Sequence, residues 1–245
     1  MVRTVLIVGA TSAVAERLAG EYAAGGDRVL LAARHEDALH AIAQDLRIRY
    51  GADVATIAFD ATDPGLVRSS AERVASDGVP DVTVFAIGEN AHTPAAYDAA
   101  EIARVDTVNY GAVAAFMAVL LPGLERRPGA AVAFIDSVAG DRGRKSNFVY
   151  GAAKAALSAY AQGLRGLLHG AGVSVTTVKL GYVDTRMSYG LAPPRLTASP
   201  EYAARAIKRA IDRRRDVVYV PGFWRFVMLA VRAIPERLFK RLSLP

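Results

Sequence analysis

The chain has 245 residues, 52% of them hydrophobic, and a formal net charge of +6. This size and apolar content suit a single α/β domain with one large core. The lack of cysteine excludes disulfides and thiol chemistry, and the four scattered histidines show no metal-ligand spacing, so no metal is expected.

The sequence also indicates where the protein is expected in the cell and which partners it is not expected to bind. The apolar run Val5–Val8 is too short for a signal peptide, and no stretch contains the ~18 uninterrupted apolar residues of a membrane span. No nucleic-acid motif accompanies the positive charge. We therefore expect a cytoplasmic protein that does not bind nucleic acid.

Apolar runs of strand length alternate with helical patterns along the chain. Strands are predicted at Val5–Val8, Val29–Ala32, Val54–Phe59, Val82–Ile87, Ala131–Ile135, Val173–Leu180 and Val217–Val220. After the first helix, which ends at Gly25–Gly26, further helices are predicted near 36–49, 64–76, 97–123, 148–169 and 201–214. The alternation predicts a Rossmann-like, doubly wound, seven-stranded parallel sheet with helices on both faces. This domain takes residues 1–221, and residues 222–245 form a basic, apolar helical appendage.

The turn after the first strand predicts a phosphate site. There, backbone N–H groups and the positive end of the following helix can hold a pyrophosphate. An ordinary strand-to-helix turn is the alternative, since the segment from 9 to 15 keeps one glycine. The predicted cofactor contacts in this turn are Gly9, Thr11, Ser12, Ala13 and Val14.

Tyr150 and Lys154 stand four residues apart at the start of an Ala-rich helical pattern, so their side chains share one face. A nearby ammonium group favours the phenolate and is expected to lower the pKa of Tyr150, which makes the pair a usable acid and base. Two common residues at one spacing also recur by chance, so the rest of the chain must support the interpretation.

Further motifs agree with one protein family in order and spacing. They are the turn Gly9–Ala15, Asp60 after the third strand, Phe85–Gly88 at the end of the fourth, Asn109 in the long helix, Ser137 thirteen residues before Tyr150, and Leu180–Thr185. On these motifs the chain resembles the short-chain dehydrogenase/reductase family over nearly its whole length.

The resemblance implies a catalytic set of Asn109, Ser137, Tyr150 and Lys154. Tyr150 would protonate the developing alkoxide during hydride transfer, Ser137 would bind the carbonyl oxygen, and Asn109 would hold a relay water. Lys154 would bind the nicotinamide ribose. The resemblance also implies further cofactor contacts, which are Asp60, Ala61, Ala86, Ile87, Gly88, Gly181, Val183 and Thr185, with Tyr150 and Lys154. Singly, each catalytic candidate also suits a structural role.

Departures from the family pattern bear on the cofactor. Ala13 and Ala15 replace two glycines, and a methyl group at Ala13 is expected to crowd the pyrophosphate. Ala33 stands where relatives that prefer NAD carry an acid, and Arg34 can accept a 2′-phosphate. NADP(H) is therefore favoured, with NAD(H) as the alternative; an arginine after a strand is also often merely solvated.

Within the family, three segments are similar to the reductases that complete the epimerisation of decaprenyl-phosphoryl ribose to arabinose. They are Asp141–Tyr150, Asp184–Met187 and Phe223–Lys240. The resemblance implies reduction of a polyprenyl-phosphate-linked 2-keto sugar and an oxidase partner. Arg142, Arg144 and Lys145 are then candidates to bind the substrate phosphate, although a solvated loop is the plainer interpretation.

The C-terminal segment combines apolar and basic residues. Five of its residues are basic and only Glu236 is acidic, which gives a net charge of +4 over 222–245. A helix through Phe226–Val231 and a second one after Pro235 are predicted to lie in a membrane surface, at the inner face of the plasma membrane. The side chains expected to enter the lipid are Trp224, Phe226, Leu229, Leu238, Phe239 and Leu242. A helix pair that covers the core or a subunit interface is nearly as consistent.

Two other functions remain open at this point. One is reduction of another hydrophobic ketone, 3-oxoacyl or steroid-like, with the tail as a lid. The other is a non-catalytic, NAD(P)-binding regulatory or scaffold protein. The resemblance also implies a homodimer or homotetramer, packed through the helices at 97–123 and 148–169.

Overall fold

The computed structural model of the chain describes residues 2–90, 98–188 and 194–242. Its strands are β1 (Thr4–Val8), β2 (Arg28–Ala33), β3 (Val54–Ala58), β4 (Val82–Phe85), β5 (Ala131–Ser137), β6 (Ser174–Leu180), β7 (Tyr182–Val183), β8 (Thr197–Ala198) and β9 (Val217–Val220). Its α-helices are α1 (Ala13–Ala23), α2 (Glu36–Tyr50), α3 (Pro64–Ser76), α4 (Ala99–Asp106), α5 (Ala112–Leu124), α6 (Phe148–His169), α7 (Pro200–Asp212), α8 (Trp224–Ala233) and α9 (Glu236–Phe239).

The described residues form a seven-stranded parallel sheet in the order β3-β2-β1-β4-β5-β6-β9. Alternate side chains of the buried strands enter two cores, one on each face of the sheet. Leu6 and Val8 join the core under α3, α5 and α6, whereas Val5 and Ile7 join the core under α1, α2 and α7. The predicted doubly wound fold is confirmed. The strand order reverses at β1 and β4, where such sheets bind ligands.

Several boundaries differ from the prediction. The long helix predicted at 97–123 is α4 and α5 joined by a π-helical turn, Thr107–Gly111. By length and composition the run Ala99–Leu124 is apolar enough to cross a membrane, but α5 lies against α3 in the core. Strand β4 stops at Phe85, and Ala86 to Gly88 have no regular secondary structure, whereas β5 continues two residues further than predicted, to Ser137. The small β7–β8 pair was not predicted.

The C-terminal tail, residues 222–242, is partly docked on the domain. Trp224 and Met228 of α8 form a small apolar cluster with Val138, next to the turn after β5. The Trp224 ring lies so close to Gly181 that a Cβ atom there would overlap the indole ring. One side of the tail is therefore packed on the protein, and only glycine fits beneath it.

Candidate active site

The four predicted catalytic residues come from elements that meet at one edge of the sheet. Ser137 is the last residue of β5, Tyr150 and Lys154 lie in the first two turns of α6, and Asn109 lies in the π-helical turn. Lys154 Nζ is 5.8 Å from the centre of the Tyr150 ring, so these residues are neighbours, as their spacing predicts. The π-helical turn could not be read from the sequence, and such turns often occur at functional sites.

Two glycines set the distance between α6 and the turn that follows β5. A Cβ atom at Gly140 would lie 2.8 Å from the carbonyl carbon of Lys154, and one at Gly151 would lie 2.9 Å from the carbonyl oxygen of Ala139. Side chains do not approach backbone that closely, so only glycine allows this contact. Because Ser137 precedes the turn, the contact fixes this candidate catalytic residue relative to Tyr150 and Lys154 on α6.

Lys154 and Asn109 converge on Gly88. Lys154 is 2% exposed, and its ammonium group donates to the carbonyl oxygens of Ile87 and Ile135, both at 3.2 Å. Burial lowers the pKa of Lys154 to about 8. A Cβ atom at Gly88 would lie 3.3 Å from both Lys154 Nζ and Asn109 Oδ1. A side chain at position 88 would therefore crowd both groups, and they would have to shift to make room for it.

Asn109 is fully buried and held by backbone groups on two sides. Its amide nitrogen donates to the carbonyl oxygens of Glu89 and Val105, each at 2.8 Å. Its oxygen accepts from the Glu89 N–H at 3.3 Å. Asn109 therefore also fixes the loop after β4, a structural role that the sequence analysis did not assign.

The phenol of Tyr150 is a weak acid in this environment. Loss of hydration raises its pKa to about 12, and the charge of Asp136 raises it too, while a hydrogen bond with Ser137 and the charge of Arg144 lower it. The expectation that Lys154 lowers this pKa is wrong, because burial of the phenol outweighs the favourable interactions. Tyr150 keeps its proton at neutral pH, as a proton donor in carbonyl reduction requires.

A buried charged network that sequence reasoning missed lies behind these residues. Asp136 and Lys179 face each other in the register of β5 and β6, with 3.3 Å between carboxylate and ammonium. Lys179 also contacts Asp141 at 2.6 Å and donates to Ser158 at 2.7 Å, and Asp141 accepts from the Tyr219 hydroxyl at 2.8 Å. An acidic residue in one predicted buried strand and a basic residue in the next were the signal that could have revealed this network.

The turn after β1 has the backbone geometry of the predicted phosphate site. Gly9 has φ +86°, and a Cβ atom there would lie 2.7 Å from the Ala86 carbonyl oxygen, so the turn and the end of β4 touch. Ser12 caps α1 by accepting from the Ala15 N–H at 3.3 Å. Ala13 is exposed at the first position of α1, so its methyl group is not used in packing. These residues fit a pyrophosphate held by backbone at the helix N-terminus.

The residues predicted to bind the adenosine part lie at the ends of β2 and β3. Arg34 is exposed directly after β2 and donates to the His35 ring at 3.2 Å. Asp60 accepts from the backbone and hydroxyl of Thr62, which lowers the pKa of Asp60. Ala61 beside it is buried. The Asp60 carboxylate thus stabilises its own turn.

The remaining predicted cofactor residues line the same edge of the sheet. Ala86, Ile87 and Gly88 form the half-buried loop after β4. Gly181 follows β6 under Trp224, Val183 is buried in β7, and Thr185 is hydrogen-bonded with Ser188. Gly181 is therefore needed for tail packing, whatever its part in cofactor binding.

The structure corrects the role predicted for Arg142. Its guanidinium donates to the carbonyl oxygens of Val231 at 2.7 Å and Ile234 at 2.6 Å, pairs with Glu236 at 3.0 Å and lies 3.8 Å from the Phe239 ring centre. It caps the C-terminus of α8, where carbonyls lack partners, and so binds the tail rather than a substrate phosphate.

Arg144 and Lys145 lie elsewhere on the same loop. Both line a cavity of about 230 Å³ between this loop and the end of the tail. The predicted phosphate-binding set is therefore divided between two places, and Arg142 does not belong to it.

Comparison with known proteins identifies the class to which this site belongs. A sequence model described as short chain dehydrogenase matches residues 3–195. The chain therefore belongs to the short-chain dehydrogenase family, and it is an NAD(P)-dependent oxidoreductase. Membership in this family is compatible with a polyprenyl-phosphate-linked 2-keto sugar and with another hydrophobic ketone as the substrate. It disfavours a non-catalytic regulatory or scaffold protein.

Individual relatives match nearly the whole chain. An uncharacterised oxidoreductase in the mprA 5′ region of Streptomyces coelicolor is 38% identical over 249 residues, which cover 98% of this chain and 96% of that protein. An uncharacterised oxidoreductase of Mycobacterium tuberculosis is 34% identical over 242 residues, which cover 97% of this chain and 96% of that protein. A short-chain dehydrogenase from Sphingobium yanoikuyae, solved in complex with NADPH, superposes with a TM-score of 0.84 at 25% identity and covers 96% of this chain and 97% of that one.

Proposed function

We propose that this enzyme reduces the keto group of a polyprenyl-phosphate-linked 2-keto sugar with NADPH, at an anionic membrane surface. The observation that carries the proposal is the exposed apolar face of the tail, attached to the loop that leads to Tyr150. The similarity of segments 141–150, 184–187 and 223–240 to lipid-linked keto-sugar reductases supports the same substrate class.

The tail turns an apolar face away from the protein. On α8, Trp224 and Met228 are buried, whereas Phe226 is 72% and Leu229 is 68% exposed. This divides the predicted lipid-facing set, because Trp224 and Phe239 pack on the protein and Phe226, Leu229, Leu238 and Leu242 do not. The basic residues of the tail are Arg225, Arg232, Arg237, Lys240 and Arg241. An apolar face with basic residues beside it suits the interface of an anionic membrane.

The tail is also joined to the active-site loop. Arg142 connects both tail helices to the turn after β5, and Asp141 beside it belongs to the buried network behind Ser137. A membrane-bound tail would therefore hold the entrance to the catalytic site near the lipid surface, where a lipid-linked substrate resides.

The chemistry assigned to the chain's residues follows from their environments. The residues at this end of the sheet would hold a nicotinamide cofactor, which would supply the hydride. Ser137 donates a hydrogen bond to the substrate carbonyl oxygen, and Tyr150 transfers its phenolic proton to that oxygen as negative charge develops. The raised pKa of Tyr150 keeps this proton available at neutral pH. The product is the corresponding alcohol.

The preference for NADPH rests on Arg34. Its exposed guanidinium follows β2, and Ala33 before it offers no carboxylate for ribose hydroxyl groups. Arg34→Ala is expected to lower kcat/KM with NADPH about tenfold or more and to change kcat/KM with NADH little. Steady-state kinetics with both cofactors test this, with Arg28→Ala as the control. An equal loss with both cofactors would contradict a role for Arg34 in choosing NADPH.

The membrane part is tested with a tail variant. Phe226→Glu/Leu229→Glu is expected to lose binding to anionic liposomes and to raise KM for a liposome-borne polyprenyl-phosphoryl keto sugar at least about tenfold. Ile48→Glu is the matched control, because Ile48 is 84% exposed on α2, outside the tail. Co-sedimentation and NADPH oxidation measure the two effects.

Two results would contradict the proposal. Liposome binding by the tail variant at the level of the Ile48→Glu control would remove the membrane role. Failure to turn over the keto-sugar lipid, with efficient NADPH oxidation on a soluble 3-oxoacyl or steroid-like ketone, would favour the alternative substrate class.

A further inference from the structure

The cavity of about 230 Å³ next to the active-site loop has two chemically different walls. One is the loop between β5 and α6, and the other is the end of the tail at and after α9. The residues that line it are Gly143, Arg144, Lys145, Glu236, Phe239, Lys240 and Leu242. Neither segment forms this cavity alone, so it exists only while the tail is docked.

The polar lining is strongly positive. Arg144 and Lys145 come from the loop, and Lys240 reaches the cavity from the tail. The single acidic lining residue, Glu236, is already paired with Arg142 at 3.0 Å, which offsets its charge. Three cations then face one space, and ammonium and guanidinium groups together are suited to binding a phosphate.

The rest of the lining is apolar. Phe239 is buried and stacked under Arg142, and Leu242 is 41% exposed at the cavity edge. The same tail carries the outward apolar side chains Phe226 and Leu229. A ligand with a phosphate joined to a hydrocarbon chain matches this arrangement better than a free anion, because both of its parts find a complementary wall.

The cavity is also electrostatically close to the reacting group. Arg144 lines the cavity, and its positive charge acts on the Tyr150 phenol, six residues later in the chain. A phosphate bound beside Arg144 would therefore lie at the loop that leads to Tyr150.

We propose that this cavity binds the phosphate of a phosphorylated lipid, with Lys240 of the tail and the pair Arg144 and Lys145 of the loop as its ligands. The inference deepens the proposed function and rests on it for the identity of the natural substrate. It adds Lys240, which the sequence analysis counted only among the basic residues of the tail, and it replaces Arg142, which holds the tail.

The test uses farnesyl phosphate, farnesol and inorganic phosphate as probes of the full chain, measured by titration calorimetry without lipid or turnover. Farnesyl phosphate is expected to bind, and Lys240→Glu is expected to weaken it about tenfold or more. Arg241→Glu is the matched control, since it makes the same charge change one residue further along without touching the cavity. Lys145→Glu should act like Lys240→Glu from the opposite wall.

Each probe gives a decisive result. Weaker binding of farnesol and of inorganic phosphate than of farnesyl phosphate supports a phosphorylated lipid, whereas equal binding of inorganic phosphate would assign the cavity to free phosphate and overturn the proposal. Equal effects of Lys240→Glu and Arg241→Glu would overturn it as well. These outcomes are independent of whether a keto-sugar lipid is turned over, so the site and the proposed function can fail separately.

Discussion

The catalytic centre and the tail depart from the usual distribution of polar and apolar residues in opposite directions. In the centre, Asn109 is fully buried and Lys154 is 2% exposed, whereas in the tail Phe226 is 72% exposed. Burying an ammonium group and exposing a phenylalanine both cost free energy in water. We propose that each arrangement serves a ligand: a substrate and cofactor in the centre, and a lipid surface at the tail.

The two regions are also held in place differently. The centre is fixed by backbone contacts at Gly140 and Gly151 and by buried groups behind it. The described tail is attached through the Trp224 cluster and the Arg142 cap. The centre should therefore tolerate changes in the tail, whereas one substitution at the junction should make opening of the tail more frequent.

The largest effect is expected in the centre. Tyr150→Phe removes the proton donor and should lower kcat for ketone reduction by ~10²–10⁴-fold, the usual contribution of general acid catalysis. Stopped-flow NADPH oxidation measures it. Tyr160→Phe is the matched control on the same helix. A loss of less than about tenfold would show that another group donates the proton and that burial of Tyr150 is structural.

The next effect tests whether the centre depends on its buried network. Lys179→Met leaves Asp136 and Asp141 without their cation, so we expect about 3–5 kcal/mol of destabilisation. Tm should fall by roughly 6–20 °C for a chain of this size. Scanning calorimetry measures the loss.

A second variant and a control sharpen the Lys179 prediction. Adding Asp136→Asn to Lys179→Met removes one uncompensated charge and should restore part of the stability, which a simple packing defect would not show. Arg68→Met breaks a surface pair with Glu72 and should leave Tm nearly unchanged. Equal losses from the two single variants would mean that the buried network contributes no more than a surface pair.

The sheet, the Tyr150–Lys154 pair and the tail helices could all be predicted from the sequence. The alternation of strands and helices predicts the doubly wound sheet, because each apolar run must be buried on both faces of a parallel sheet. The positions of Tyr150 and Lys154 follow from helical spacing. The tail helices follow from the apolar run at Phe226–Val231 and from Pro235, which precedes α9.

What sequence could not reveal depends on contacts between distant residues. Asp136 and Lys179 are 43 residues apart, and only the register of β5 and β6 brings them together. Arg142 stands 92 residues from Ile234, and its neighbours in sequence suggested a phosphate ligand rather than a helix cap. The pKa of Tyr150 depends on how much water the fold removes, which spacing does not determine.

A smaller effect is expected at the tail junction. Arg142→Ala removes charge-assisted hydrogen bonds to the end of α8, and losing about 2 kcal/mol would make opening of the tail about 30-fold more frequent. Hydrogen exchange of amides in 224–239 should therefore accelerate, while amides of α6 keep their rates. Arg237→Ala, an exposed arginine on α9, is the control. Faster exchange in α6 as well would show that tail and centre open as one unit.

The smallest effect concerns pH and separates the two titratable groups of the centre, buried Lys154 and half-buried Tyr150. Lys154, with its pKa lowered to about 8, loses its charge as the pH rises above that value, whereas Tyr150, with its pKa raised to about 12, stays protonated. If ketone reduction needs charged Lys154, kcat/KM should stay level at neutral pH and fall up to about tenfold per unit above roughly pH 8. Lys154→Arg stays charged, so a slower variant without this alkaline limb is expected. If kcat/KM of Lys154→Arg still falls at alkaline pH, another group titrates there. If Arg142→Ala loses this alkaline fall, the tail controls the electrostatics of the centre.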